Sequence, residues 1–203
     1  MKLYTYKQAP NPLRVHVFLA EKGISLPTET VDIRAGETRA PDFKMINSLG
    51  EVPVLELDDG QLLTESVAIC RYLEGLHPEI PLMGATPLET ALIDMWTRRM
   101  EQQIMAPISQ FALHSFEIFA DKIEQLPDYA ATQLRLQKKR WAWLDTELSD
   151  GRTFVAGDQF SVADITGMAA LRICDFAKEQ VPEDLPHTKR WERAVRDKKS
   201  WPS

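Results

Sequence analysis

Three short stretches of this 203-residue chain carry residue types that could do chemistry, and all lie in its first third. Ala9-Pro10-Asn11-Pro12-Leu13-Arg14 is a turn running into a helix. An asparagine amide at the positive end of a helix can donate to an anion such as a thiolate. A free thiol has a pKa of about 8.5, so a donor that prefers the anion raises its reactive fraction at neutral pH. Asn11 is equally a good N-cap, an ordinary structural role. Val52-Pro53 opens a strand with a residue that cannot donate to the ladder. A cis bond there would leave the N–H and C=O of Val52 as an unpaired couple, able to bind an extended peptide strand-fashion. A plain edge-strand start accounts for the same two residues. Thr64-Glu65-Ser66 begins another helix, whose free N–H groups suit a ligand carboxylate. Ser66 adds a hydroxyl donor and Glu65 could accept from an ammonium group, matching both charges of one amino acid. Simple helix capping explains these residues too.

The elements that must position them alternate between strand and helix. Lys2–Tyr6 predicts a strand, and residues 13–22 a helix closed by Gly23, where a left-handed residue costs no Cβ clash. Thr28–Ile33 predicts a second strand and Pro41–Ile46 a short helix with proline at its start. Val52–Leu57 and Gln61–Leu63, around Asp58-Asp59-Gly60, predict a hairpin, and a helix follows from Glu65-Ser66 to about Leu76. This order makes residues 1–77 an α/β domain whose partly parallel sheet ends in an antiparallel hairpin. Prolines and glycine between 78 and 86 mark a linker.

Residues 87–203 predict an all-helical domain. Leu88, Leu92, Trp96, Met100, Ile104 and Ile108 recur at every fourth residue, an apolar stripe with a kink expected at Pro107. Ala130–Ser149 and about Thr188–Lys198 predict two more helices. Between them, Ser161-Val162-Ala163-Asp164 has the spacing of a capping box, in which Asp164 reaches back to the helix start.

Composition narrows the function. With 24 Lys+Arg against 30 Asp+Glu, the net charge of −6 and the lack of a basic tract argue against nucleic acid. No apolar run approaches the roughly 18–20 residues of a membrane span, and the first residues carry no signal-peptide core. Cys70 and Cys174 lie far apart with no C-x-x-C, which excludes a disulfide scaffold, a cysteine zinc site and a dithiol redox centre. Four scattered histidines make metal binding an unsupported reading, so no metal is expected. The expected compartment is the cytosol.

Taken together, the motifs resemble the cytosolic glutathione transferases. Almost the whole chain shares in the resemblance: the thioredoxin-like first half, N-x-x-G-x-V-P-V-L from Asn47 to Leu55, Glu65-Ser66, Ala68–Leu73, and the Ser161/Asp164 box of the helical half. The resemblance implies that Val52, before a cis Pro53, pairs with the cysteinyl part of glutathione. It implies that Glu65 and Ser66 hold the γ-glutamyl amino and carboxylate groups, and that Ser161 and Asp164 are structural. Counting back from Ala20-Glu21-Lys22-Gly23, the position where some members carry a serine falls on Ala9, which has no donor. The position of a catalytic tyrosine in others falls near Thr5, between Tyr4 and Tyr6. Ala-Pro-Asn-Pro-Leu-Arg instead is similar to bacterial Nu-type and fungal nitrogen-regulator-like members, which implies Asn11 as the thiolate-stabilising group, with Tyr6 the rival donor. Thr38, Lys44 and Arg14 are the candidates for the glycine end.

The implied activity is conjugation: glutathione is the co-substrate, and its thiolate attacks a small hydrophobic electrophile held between the domains. Two alternatives stay open, glutathione-dependent disulfide or peroxide reduction and a non-catalytic glutathione-binding regulatory protein. A homodimer is implied as well.

Overall fold

The computed structural model describes residues 1–201, which divide into two compact units, Met1–Met83 and Gly84–Trp201. The first holds a four-stranded mixed sheet in the order β2-β1-β3-β4. Strand β1 (Lys2–Thr5) runs parallel to β2 (Thr28–Thr30) and antiparallel to β3 (Val54–Glu56), which pairs with β4 (Leu62–Leu63). Alternation along β1 sends Tyr4 to one face and Leu3 and Thr5 to the other. Tyr4 joins Val31, Phe43, Val52 and Val54 in a cluster under helix α2 (Pro41–Ile46), its ring edge-on to Phe43 at 6.3 Å. Tyr6 packs against the rim of that cluster. Helices α1 (Pro10–Lys22) and α3 (Ser66–Leu76) pack on one another, burying Leu13, Val17, Phe18, Ile69 and Leu73.

Strand β2 is shorter than its apolar pattern predicts. Asp32 takes over the chain there, its carboxylate accepting from the Arg34 and Ala35 N–H groups. That local turn replaces the ladder hydrogen bonds a longer strand would need. Gly23 closes α1 in the left-handed conformation, φ 66°. Beside it the Lys22 ammonium, almost wholly buried, meets the Glu74 carboxylate at 2.7 Å. It also donates to the carbonyls of His77 and Ile80, fastening the segment after α3 to the end of α1.

The second unit is helical. Helix α4 (Pro87–Arg99) begins with a full capping box between Thr86 and Glu89 and passes into a π-helical stretch, Met100–Met105. Helix α5 (Ala106–Ser115) follows, with Pro107 in its first turn. The kink expected at Pro107 is thus expressed as a widened turn just before it, where the Ala106 N–H reaches five residues back to Glu101. The stripe explains why. A residue every four positions drifts by about 40° per step on an α-helix of 3.6 residues per turn, so its ends cannot share one face. Trp96, Met100, Ile104 and Ile108 are buried, whereas Leu88 and Leu92 are exposed. The wider π turn keeps the buried part of the stripe aligned.

Helices α6 (Pro127–Glu147), α7 (Val162–Ala177) and α8 (Pro186–Arg196) complete the unit around Trp141, Leu144 and Trp191. The first turns of α7 are buried on every side. Asp164 accepts from the Ser161 N–H at 3.0 Å, the return half of the expected box, and also holds the Val155 N–H at 2.9 Å. Gly167 lets the Trp191 ring lie against α7: a Cβ there would meet Trp191 Cζ2 at 2.4 Å.

Candidate functional site

Within the first unit, Asn11, Asn47, Glu51, Val52, Pro53, Glu65 and Ser66 line one recess. Five of these are residues that the sequence singles out. Their convergence follows from the sheet: the end of the loop before β3, the start of α1 and the start of α3 all reach the same edge.

Asn11 does not cap α1. Ala9 takes the cap position and Pro10 the first turn, because a residue without an N–H loses nothing there. Asn11 is therefore the second helical residue. Its side chain is exposed and makes no hydrogen bond among the described residues, so its amide is free to donate. The residues around the position of a catalytic tyrosine do not line the recess. The buried Thr5 hydroxyl is 2.8 Å from His16 Nε2. Burial, helped by the nearby Lys7 cation, holds His16 below its ordinary value. Tyr6 packs on the apolar cluster and does not line the recess.

The Val52–Pro53 bond is cis, and neither the Val52 N–H nor its C=O is hydrogen-bonded among the described residues. The loop that presents them is held by Asn47, whose side-chain amide donates to the Glu51 carbonyl at 2.8 Å while its oxygen accepts from the Leu49 N–H. Gly50 has φ 65°, and a Cβ on it would lie 2.7 Å from the Thr38 carbonyl oxygen. Thr38 is thus buried behind the loop, Lys44 is exposed beside it, and neither lines the recess. Asn47 and Glu51 are residues that the sequence reading passed over as ligand neighbours. The signal was the N-x-x-G spacing itself, which brings the asparagine side chain back onto the backbone four residues on.

Glu65 stands at φ 63°, a left-handed conformation unusual for a residue with a Cβ, at the cap of α3. This turns its exposed carboxylate toward the recess while the α3 N-terminus, with Ser66 as its first residue, offers free N–H groups. Negative and positive recognition elements so stand side by side. Ser66 is buried, and its Oγ accepts from Arg14 Nη1 at 3.2 Å. Arg14 is itself 2% exposed. The third candidate for a glycine-end contact therefore lies beneath Ser66 instead.

Neither cysteine belongs to the site. Both are free and buried, and burial pushes each thiol up to about 12. Among the described residues no cluster of His, Cys, Asp and Glu is suited to a metal, and no helix is long and apolar enough to cross a membrane.

Known proteins resemble the chain over nearly its whole length. Residues 9–76 match the family model described as "Glutathione S-transferase, N-terminal domain", and residues 100–197 that described as "Glutathione S-transferase, C-terminal domain". Glutathione S-transferase 2 of Saccharomyces cerevisiae is 35% identical over 98% of this chain and 87% of its own. The crystal structure of Gtt2 from the same yeast superposes with a TM-score of 0.92 at 34% identity, over 98% of both chains. A glutathione S-transferase domain-containing protein from Marinobacter aquaeolei VT8 superposes at 0.93 with 37% identity, over the whole of both chains.

Proposed function

The chain belongs to the glutathione S-transferase family, and we propose that it binds glutathione in the recess of its first unit and activates the thiol through Asn11. The observation that carries this reading is the shared lining: an unengaged amide, an unpaired backbone couple and a carboxylate beside a helix N-terminus. The cysteinyl backbone of glutathione pairs with Val52 as one more extended strand. Its α-carboxylate meets the start of α3 and the Ser66 hydroxyl, and its α-ammonium meets Glu65. That docking brings the thiol to the start of α1.

An asparagine does not titrate, so Asn11 is no general base. It acts by donating its amide to the thiolate, with the partial positive charge of the α1 N-terminus behind it, as an oxyanion hole acts on developing charge. Lowering the thiol pKa by about two units requires roughly 2.7 kcal/mol of preference for the anion. The thiolate then attacks a small electrophile and displaces its leaving group. If the reaction is instead reduction of a disulfide or peroxide, both reducing thiols come from glutathione, since Cys70 and Cys174 are buried and protonated.

We read the protein as a cytosolic homodimer. Its two free cysteines suit a reducing compartment. Leu88, Leu92 and Met95 leave an exposed apolar stripe on α4, and Met45 and Leu49 are exposed in the first unit. Apolar surface of this kind is what a second copy would cover.

The deciding test is a pH titration of bound glutathione by ultraviolet difference absorbance, which reports thiolate directly. A thiol pKa clearly below that of free glutathione is expected. Binding without a shift would overturn thiol activation and leave a binding protein.

A further inference from the structure

We propose that Arg14 is a positioning residue for the γ-glutamyl carboxylate of glutathione, acting through Ser66. This rests on the reading of the recess given above. Arginine has five N–H donors and no acceptor. In the 3.2 Å contact between Arg14 Nη1 and Ser66 Oγ, the hydroxyl oxygen must therefore be the acceptor. Its own hydrogen is excluded from that contact and is left to donate elsewhere. Because Ser66 lines the recess at the first turn of α3, a carboxylate seated at that helix start is the natural acceptor.

Arg14 adds charge as well as direction. Its side chain comes from α1, is 2% exposed, and reaches Ser66 at the N-terminus of α3, which opens on the recess. A buried cation is screened by salt far less than one at the surface. The guanidinium, the hydroxyl it polarises and the α3 N–H groups then point the same way, favouring an anion at this subsite. Glu65 alongside would repel a second carboxylate and keep the ammonium in register. The subsite thus selects an α-amino acid end over an amine lacking the carboxylate.

The test compares two ligands, glutathione and its analogue in which a 4-aminobutyryl group replaces the γ-glutamyl group, by calorimetric titration. The wild-type protein should prefer glutathione, and Arg14→Met should weaken glutathione by about tenfold while changing the analogue little. Arg14→Lys should recover part of the preference. Ser66→Ala should lose a similar part, and Arg14→Met combined with Ser66→Ala should cost less than the sum of the two. Equal weakening of both ligands would reduce Arg14 to a structural role, and unchanged binding would remove it altogether; either overturns the inference. If Arg14→Met does not fold, the Arg14→Lys and Ser66→Ala pair decides, and additive effects overturn it. Failure of the wild type to bind glutathione would instead overturn the reading of the recess.

Discussion

The indole N–H of Trp191 donates to the carboxylate of Asp164 at 3.0 Å, tying α8 to the buried start of α7. Asp164 thereby serves three partners at once, together with the Val155 and Ser161 amides. Burial is nonetheless the larger effect and pushes its carboxyl up to about 6, against hydrogen bonds that pull it down. A carboxyl raised in the folded state favours folding while protonated, fully so below its unfolded value near 4, and the benefit is lost as pH rises through about 6. The displacement corresponds to roughly 3 kcal/mol. Asp164→Asn should be destabilised, and its deficit relative to wild type should shrink between pH 4 and pH 6. Urea unfolding at several pH values checks this; a deficit that widens with pH contradicts it.

Asn11 and Tyr6 are separable. Asn11→Ala should return the bound thiol toward the pKa of free glutathione and lower turnover at neutral pH by about ten- to a hundredfold. Asn11→Asp should be worse, because it sets a carboxylate against the thiolate. Tyr6→Phe should leave the thiol pKa where it was. A shift in Tyr6→Phe with none in Asn11→Ala reverses the assignment.

Lys22 and Glu74 form a buried ion pair whose cation also satisfies two carbonyls. Lys22→Met leaves that carboxylate and both carbonyls without their donor, which should cost about 3 kcal/mol. The midpoint of denaturant unfolding is the readout, and an unchanged midpoint would show that water replaces the ammonium freely.

Gly50 should tolerate no side chain. Alanine there combines a positive φ with a 2.7 Å approach to the Thr38 carbonyl oxygen, so the loop carrying Val52 must move. Gly50→Ala should weaken glutathione binding and lower stability by about 1–3 kcal/mol. Gly60→Ala, with positive φ but open space around its Cβ, is the control that should spare binding.

Replacing Leu88 and Leu92 by glutamate should shift sedimentation from dimer to monomer without unfolding, since both side chains are exposed in the single chain. A wild-type monomer would remove the dimer from the picture.

Where local chemistry decides a structure, the sequence was readable to the residue. The bounds of α2, the Gly23 cap and the Asp164 return bond all follow from a proline, a glycine or a capping pair acting on neighbours. Where two local signals compete, the outcome was not. Pro10 moved the helix start ahead of Asn11, and Asp32 cut β2 short with its own turn. The widened turn at Met100–Met105 has no residue-level signature beyond a stripe spaced too long for an α-helix. In the recess, Asn11, Val52, Pro53, Glu65 and Ser66 could be named in advance, whereas Asn47 and Glu51 could not be told from loop-forming residues. Nor could the fixing of Ser66 from below by Arg14 be named, because 52 positions separate them and only the packing of α1 on α3 brings them together.

That widened turn behaves like a splice. One residue more than a regular helix requires has been taken up between α4 and α5 without a loop, and the phase of everything beyond it is reset by that single step. Deleting one residue from Met100–Met105 would let the backbone close as an unbroken helix, yet turn Ile108 and Ala112 about 100° out of the core they now fill. The chain can keep its helicity or its interior through such an edit, but not both.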